Sequence, residues 1–206
     1  MFEPIAIVGQ SAILPGAHTP DQLWEHVHAG RDLLSAVPDD RWRLSRAWAM
    51  GSPDNAADRT WSDRGGYVRD FVFDGAGLQV PASSLAGLDP LVHWLIHTGR
   101  EALGNTMIPR NRTGVVVGNL SYPSSSLSAF AEAHWLGQGG IDPRNRFMSG
   151  LPAQLMAEAL GLKQGGFAVD AACASSLYAI KYACDRLQEG SADAMLAGAV
   201  QRADDL

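Results

Sequence analysis

The sequence predicts a layered α/β fold, and three observations carry that reading. Short apolar runs of strand character lie at residues 3–9, 114–118, 167–169 and 194–200. Helical patterns separate them, and strands alternating with helices indicate layered α/β architecture. Proline, glycine and capping residues punctuate the boundaries where such elements should begin and end.

The elements follow in order. Residues 3–9 read as a buried first strand ending in Gly9. The next helix has clear signals: Thr19 as N-cap, Pro20 at the first helical position, Gln22 completing T-x-x-Q, and Gly30 past the end. Leu23, Trp24 and Val27 supply its apolar face. From about residue 32 to 87 the chain is irregular, with Trp42, Trp48 and Trp61 scattered among Pro, Gly, Asp and Arg. Several tryptophans without periodicity predict an ordered excursion packed on the domain, since a disordered linker carries few aromatics. Asp89-Pro90 opens a second helix with Leu91, Trp94, Leu95 and Leu103 inward and Gly104 at its end. The β-branched run Gly114-Val115-Val116-Val117-Gly118 is that of a strand covered on both faces. Helices are expected around 127–136 and over 152–160, the latter closed by Gly161. The strand at 167–169 leads into a helical pattern from 174 to about 188, with Leu177, Ile180, Cys184 and Leu187 at helical spacing. A last strand covers 194–200, and the sequence ends at Leu206 in what reads as the middle of a domain.

Bulk properties exclude several classes. With 206 residues, 46% apolar and 18% charged, the chain is an ordinary globular protein of one large or two small domains. No window approaches the roughly 18 apolar residues of a spanning helix, and the start lacks the basic region of a signal peptide. A cytoplasmic location is therefore expected. A net charge of -6 and no basic run argue against nucleic acid or membrane partners. Cys173 and Cys184, the only cysteines, fall on one predicted helix, roughly 16 Å apart by helix rise. That is beyond disulfide reach and fits a reducing compartment. Neither a cysteine-built metal site nor a histidine pair with a partner Glu is present in the pattern, so no metal is expected. The Gly9 to Gly16 spacing lacks the lysine of a phosphate loop.

Chemistry concentrates in Asp170-Ala171-Ala172-Cys173-Ala174-Ser175-Ser176. A thiol at or just before a helix N-terminus meets unpaired N–H groups and the positive end of the helix dipole, which favour thiolate, the nucleophile. Small neighbours leave a substrate room to reach the sulfur. A buried structural cysteine that happens to start a helix is the competing reading. Asp170, three residues earlier, reads as an acid that stabilises the loop in preference to a catalytic base.

In this order and spacing the segments resemble the β-ketoacyl synthase (ketosynthase) family of the thiolase superfamily. The resemblance runs from Ile5-Ala6-Ile7-Val8-Gly9 and Pro15-Gly16 through Leu23-Trp24-Glu25, Pro38-Asp39-Asp40-Arg41-Trp42, Arg64-Gly65-Gly66-Tyr67-Val68 and Leu88-Asp89-Pro90. It culminates in the Cys173 segment and closes at Ala197-Gly198-Ala199-Val200. The wording is nearest to ketosynthases of polyunsaturated fatty acid synthases and glycolipid-type polyketide synthases. The resemblance implies the N-terminal half of a thiolase-like ketosynthase domain, with the irregular excursion at about 32–87, the nucleophile strand and helix at 166–189, and the C-terminal half absent. It implies that Cys173 accepts an acyl chain from a phosphopantetheine thioester, its backbone N–H helping to hold the oxyanion. That chain would then condense with a malonyl-type thioester by decarboxylative Claisen chemistry. Phe147 and Met148 fall where the family shapes its acyl pocket. An acyl carrier protein, a homodimer and the complementary half are the implied partners, with no bound cofactor.

Two departures accompany the resemblance. Gly165-Gly166 stands where a Gly-Pro pair is expected, and Ala174 replaces the commoner serine after the nucleophile. The family's two catalytic histidines belong to motifs beyond Leu206, and none of His18, His26, His28, His93, His97 or His134 lies in one. The alternatives are a truncated or split partner that assembles with a complementary chain, and a cysteine hydrolase, which needs one of those histidines beside Cys173.

Overall fold

The computed structural model describes residues 3–51, 57–120 and 124–203. It divides into two units, Ala12–Val72 with Ala203–Leu206, and Met1–Ser11 with Phe73–Arg202.

In the first unit, helix α1 spans Pro20–His28. Thr19 caps it by accepting from the Gln22 N–H at 3.2 Å, and the Gln22 side chain accepts in return from the His18 N–H at 2.7 Å. The reciprocal cap forms as expected, shifted by one residue on the return bond. Its expected apolar face is uncovered: no α1 residue is buried, and Trp24 and Val27 are 67% and 64% exposed. The rest is the two-residue strand β1 (Ser35–Ala36), the short helix α2 (Arg46–Ala49) and strand β2 (Arg64–Gly65), which pairs antiparallel with β1. Trp42 is half-buried. Trp48 and Trp61 are exposed, and Arg59 lies over the Trp48 ring at 5.2 Å.

The second unit holds the core. Helix α3 (Pro90–Leu103) starts at the predicted cap, with the Asp89 carboxylate accepting from the Leu91 N–H at 2.9 Å. Strand β3 (Thr113–Asn119) is buried at every position. Helices α4 (Ser125–Trp135) and α5 (Leu151–Ala159) follow, then strand β4 (Gly166–Val169), helix α6 (Ser175–Gln188) and strand β5 (Ala194–Val200). The three strands form a parallel sheet in the order β4-β3-β5, pairing Gly118 with Val169 and with Ala199. Val115 and Val117 face the core built with α3 and α5. The alternate residues of β3 face α6 on the other side. Coverage on both faces is what the continuous β-branched run encodes.

Two expectations fail here. Residues 3–9 form no strand: no ladder pairs them, and Ile7 and Val8 are 88% and 65% exposed. An apolar run supplies strand propensity, but a strand also needs a partner edge. This segment instead lies against α3, where a side chain on Gly9 would meet the Ala102 carbonyl oxygen at 1.8 Å. On α6 the inward stripe is Ser175, Ala179 and Ala183, while Leu177 and Ile180, expected as apolar-face residues, are 68% and 50% exposed. Small residues win the inward position because α6 approaches the sheet closely.

The Gly165-Gly166 departure has a physical match. The Gly166 N–H donates to the Gln154 side-chain oxygen at 3.2 Å, and a Cβ there would meet the Ala153 carbonyl oxygen at 2.2 Å. Proline offers neither the N–H nor the space. Among the described residues no helix is long and apolar enough to cross a membrane.

Candidate active site

The carboxyl ends of the three parallel strands meet at one edge of the sheet, and the Cys173 segment leaves from it. Beyond β4 the chain makes a 3₁₀ turn over Ala172–Ala174, and α6 begins at Ser175. Cys173 is therefore two residues ahead of the helix, in the turn that feeds it, and its side chain is exposed. No side chain caps α6. Its first N–H groups point toward the turn, as an attacking thiolate and a developing oxyanion require.

The turn is strained and tied down. Ala172 has φ +49°, a left-handed conformation that costs a residue with a Cβ about 1–2 kcal/mol. Three hydrogen bonds hold it besides the Ala174 N–H to Ala171 carbonyl bond at 3.1 Å. The Ala172 N–H donates to the Asp170 carboxylate at 3.0 Å, the Ala171 N–H donates to the Ser175 hydroxyl at 2.9 Å, and that hydroxyl donates to the Ala172 carbonyl at 2.7 Å. Asp170 thus stabilises the loop, the reading favoured over a catalytic base.

The helix start is seated on the sheet at Gly118, where an added Cβ would stand 2.7 Å from the Ser175 carbonyl carbon. Only glycine lets strand and helix come this close. Next along β3, the Asn119 amide donates to the carbonyls of Met148 and Ser149 at 2.6 and 2.9 Å. On the other side of that segment the Asn145 amide donates to the Gly87 carbonyl at 2.9 Å and accepts from the Asp89 N–H at 3.0 Å. Asp89, fully buried, is paired at 3.3 Å with Arg202, whose side chain is 7% exposed. Residues 145–149 are thereby pinned at the strand ends. Met148 is buried in the core, and Phe147 is 50% exposed with the Arg146 guanidinium 4.2 Å from its ring centre. Of the two expected pocket residues, Phe147 is exposed and Met148 is buried.

The histidines are engaged elsewhere. His93 bonds the Leu85 carbonyl at 2.8 Å and stacks on Phe73, and His134 stacks on Phe130. His97 is on α3, across the sheet from α6, and His18, His26 and His28 belong to the other unit. Within the unit that carries Cys173, the hydrogen bond and ring contacts of His93 and His134 do not involve the cysteine. Among the described residues no cluster of three or more His, Cys, Asp or Glu could hold a metal ion.

Sequence reasoning located Cys173 and Asp170 but missed Ser175, Asn119 and the Asp89–Arg202 pair. Asn119 carried one signal, a polar residue closing a fully buried strand. Arg202 carried none, because its partner is far away in sequence.

Comparison with known proteins agrees with this geometry. The family model described as β-ketoacyl synthase, N-terminal domain, matches residues 2–204. A PKS-NRPS hybrid synthetase (ATPKS) of Aspergillus niger is 33% identical over 208 residues, covering 96% of this chain and 11% of that protein. A phenolphthiocerol/phthiocerol polyketide synthase of Mycobacterium tuberculosis is 32% identical over 206 residues, 96% of this chain and 13% of its own length. The chain thus spans only a small part of these relatives. Among solved structures, PfaC Keto synthase-Chain length factor superposes with a TM-score of 0.83 at 33% identity, covering 97% of this chain and 24% of that one. The Streptomyces albus oxazolomycin ketosynthase domain, at 24% identity, shares the fold with a TM-score of 0.79 over 96% of this chain and 34% of its own.

Proposed function

The chain belongs to the β-ketoacyl synthase family, and we propose that it supplies the acyl-accepting cysteine of a ketosynthase of polyketide type. The observation that carries this reading is the exposed Cys173 in a strained turn at the uncapped start of α6. The Cys173 thiolate attacks the carbonyl of an acyl-phosphopantetheine thioester presented by an acyl carrier protein. The Cys173 N–H takes up the oxyanion, the carrier thiol departs, and the acyl group remains on sulfur. Condensation with a malonyl-type thioester then extends the chain by decarboxylative Claisen chemistry. The two histidines for that step come from the complementary half of the domain. No redox cofactor or metal is needed for either transfer.

Two features support the partners. Leu177, Tyr178, Ile180 and Tyr182 leave an apolar face on α6 that a complementary half would cover. Among the described residues strand β4 is an edge strand of its sheet, and its outer edge is the one we assign to pairing across a homodimer. The exposed α6 face equally suits a split partner that only assembles with a second chain. Two unpaired thiols accord with a cytoplasmic setting.

One experiment decides. The chain is incubated with an acyl-phosphopantetheine thioester and examined by intact mass, with Cys173→Ala as control. An adduct on the parent chain and none on the variant is the expected result. No adduct on either leaves the non-catalytic partner standing. Formation of a ketoacyl product by the chain alone would overturn the need for histidines from outside it.

A further inference from the structure

We propose that Ser175 is the positioning residue of the nucleophile turn, holding Cys173 in place without touching the substrate. This inference rests on the reading of Cys173 as acyl acceptor. A serine at a helix N-cap turns its hydroxyl forward, to accept from an N–H two or three residues on, whereas Ser175 follows the N-cap position, held here by Ala174. Ser175 does the reverse. Its hydroxyl reaches back, accepting from the Ala171 N–H at 2.9 Å and donating to the Ala172 carbonyl at 2.7 Å. The two bonds bracket the one residue of the turn with positive φ, Ala172 at +49°. Cys173 is the next residue, so the hydroxyl fixes the backbone from which the thiol projects.

The other end of Ser175 is equally constrained. Its backbone sits on β3 so closely that a Cβ at Gly118 would stand 2.9 Å from the Ser175 oxygen. With 2% of its surface exposed, Ser175 bridges the rigid centre of the sheet to the exposed cysteine. Asp170 assists from outside through its bond to the Ala172 N–H at 3.0 Å, but its carboxylate is exposed and exchanges with water. A buried residue that sets the direction of the thiol alters how fast the bound thioester is attacked and leaves thioester binding alone.

The test is single-turnover acylation of the 206-residue chain by an acyl-pantetheine thioester over a range of concentrations, read by intact mass. Ser175→Ala should lower the limiting rate by about tenfold or more while the half-saturating concentration stays within about twofold. Labelling of Cys184 by iodoacetamide, on the same helix, reports folding and should not change. A limiting rate within about twofold of the parent overturns the proposal. If Ser175→Ala unfolds and Cys184 labels as in the urea-denatured chain, Asp170 decides. Asp170→Ala should slow acylation, and Asp170→Asn, which keeps an oxygen acceptor for Ala172, should not; equal rates in both refute a turn-geometry effect. If the parent chain forms no adduct, the reading of Cys173 has failed. Ser175 is then judged by iodoacetamide labelling of Cys173 relative to Cys184. A ratio changed by about threefold or more in Ser175→Ala supports positioning, and an unchanged ratio overturns it.

Discussion

Replacing Gly118 by alanine tests whether the close approach of β3 and α6 sets the cysteine. The new Cβ would stand 2.7 Å from the Ser175 carbonyl carbon and 2.9 Å from both its Cβ and its oxygen. Ordinary contact begins near 3.4 Å, so the overlap is about 0.7 Å against atoms that no side-chain rotation can remove. Helix α6 is held further along by Ala179 and Ala183, which are 0% and 6% exposed, so its first turn must tilt away from the sheet. Overpacking of this kind costs about 1–3 kcal/mol. Exchanging glycine for alanine in a strand returns about 0.5–1 kcal/mol. The difference spans about 0–2.5 kcal/mol, and a net loss of about 1 kcal/mol near its centre lowers Tm by about 2–4 °C in a chain of this size. Gly198→Ala on β5 is the control, because a Cβ there meets nothing within 4 Å. It should keep or raise Tm by thermal denaturation, while Gly118→Ala lowers Tm and slows acylation of Cys173. Equal Tm and equal acylation for the two variants would refute the reasoning.

Arg202→Ala should cost about 3–5 kcal/mol in urea unfolding, because it strands the fully buried Asp89 carboxylate. Adding Asp89→Asn, which keeps an oxygen for the Leu91 N–H, should recover part of that loss, and no recovery would mean that the charge is not what Arg202 satisfies. Asp142 gives a pH dependence. Arg144, hydrogen-bonded to it at 2.6 Å, lowers its carboxyl below the ordinary 3.8. A depressed folded value means the contribution is complete above about 3.8 and is lost as pH falls through the lowered value. Asp142→Asn should therefore lose stability near neutral pH and converge on the parent at the acid end. A constant difference across that range would contradict the pairing.

What could be read from the sequence follows the range of the interactions. The caps at Thr19 and Asp89 were legible because cap chemistry is settled within a few residues. Strand β3 was legible because burial on both faces leaves a continuous β-branched run. The cysteine turn was legible as a place, through the strand-to-helix change, but not as a mechanism of positioning. Ser175 looks like any helix-start residue until its hydroxyl is seen to reach back to Ala171 and Ala172. Residues 3–9 mislead because strand pairing depends on a partner that propensity does not supply. The Asp89–Arg202 pair was invisible because it joins a helix cap to the end of the last strand.

Helix α6 misleads in a more instructive way. Both of its stripes are plausible core faces at helical spacing: Ser175, Ala179 and Ala183 on one side, Leu177 and Ile180 on the other. Hydropathy favours the second, and distance to the sheet favours the first. A helix that buries its small stripe and exposes its large one leaves apolar surface for a second surface to cover. Fully burying one such Leu or Ile side chain is worth about 1.5–3 kcal/mol, a gain that only a second surface realises. The matched family region is the N-terminal domain, and under the proposed function the complementary half is that surface. Leu177→Ser with Ile180→Ser should then leave the Tm of the isolated chain within about 4 °C, since changes at exposed positions stay within about 0.5 kcal/mol each and about 1 kcal/mol is worth about 2–4 °C in a chain of this size. The same double variant should weaken binding of the complementary half. A drop of about 8 °C or more in Tm would show these side chains to be already packed within the chain, and the face would have no need of a partner.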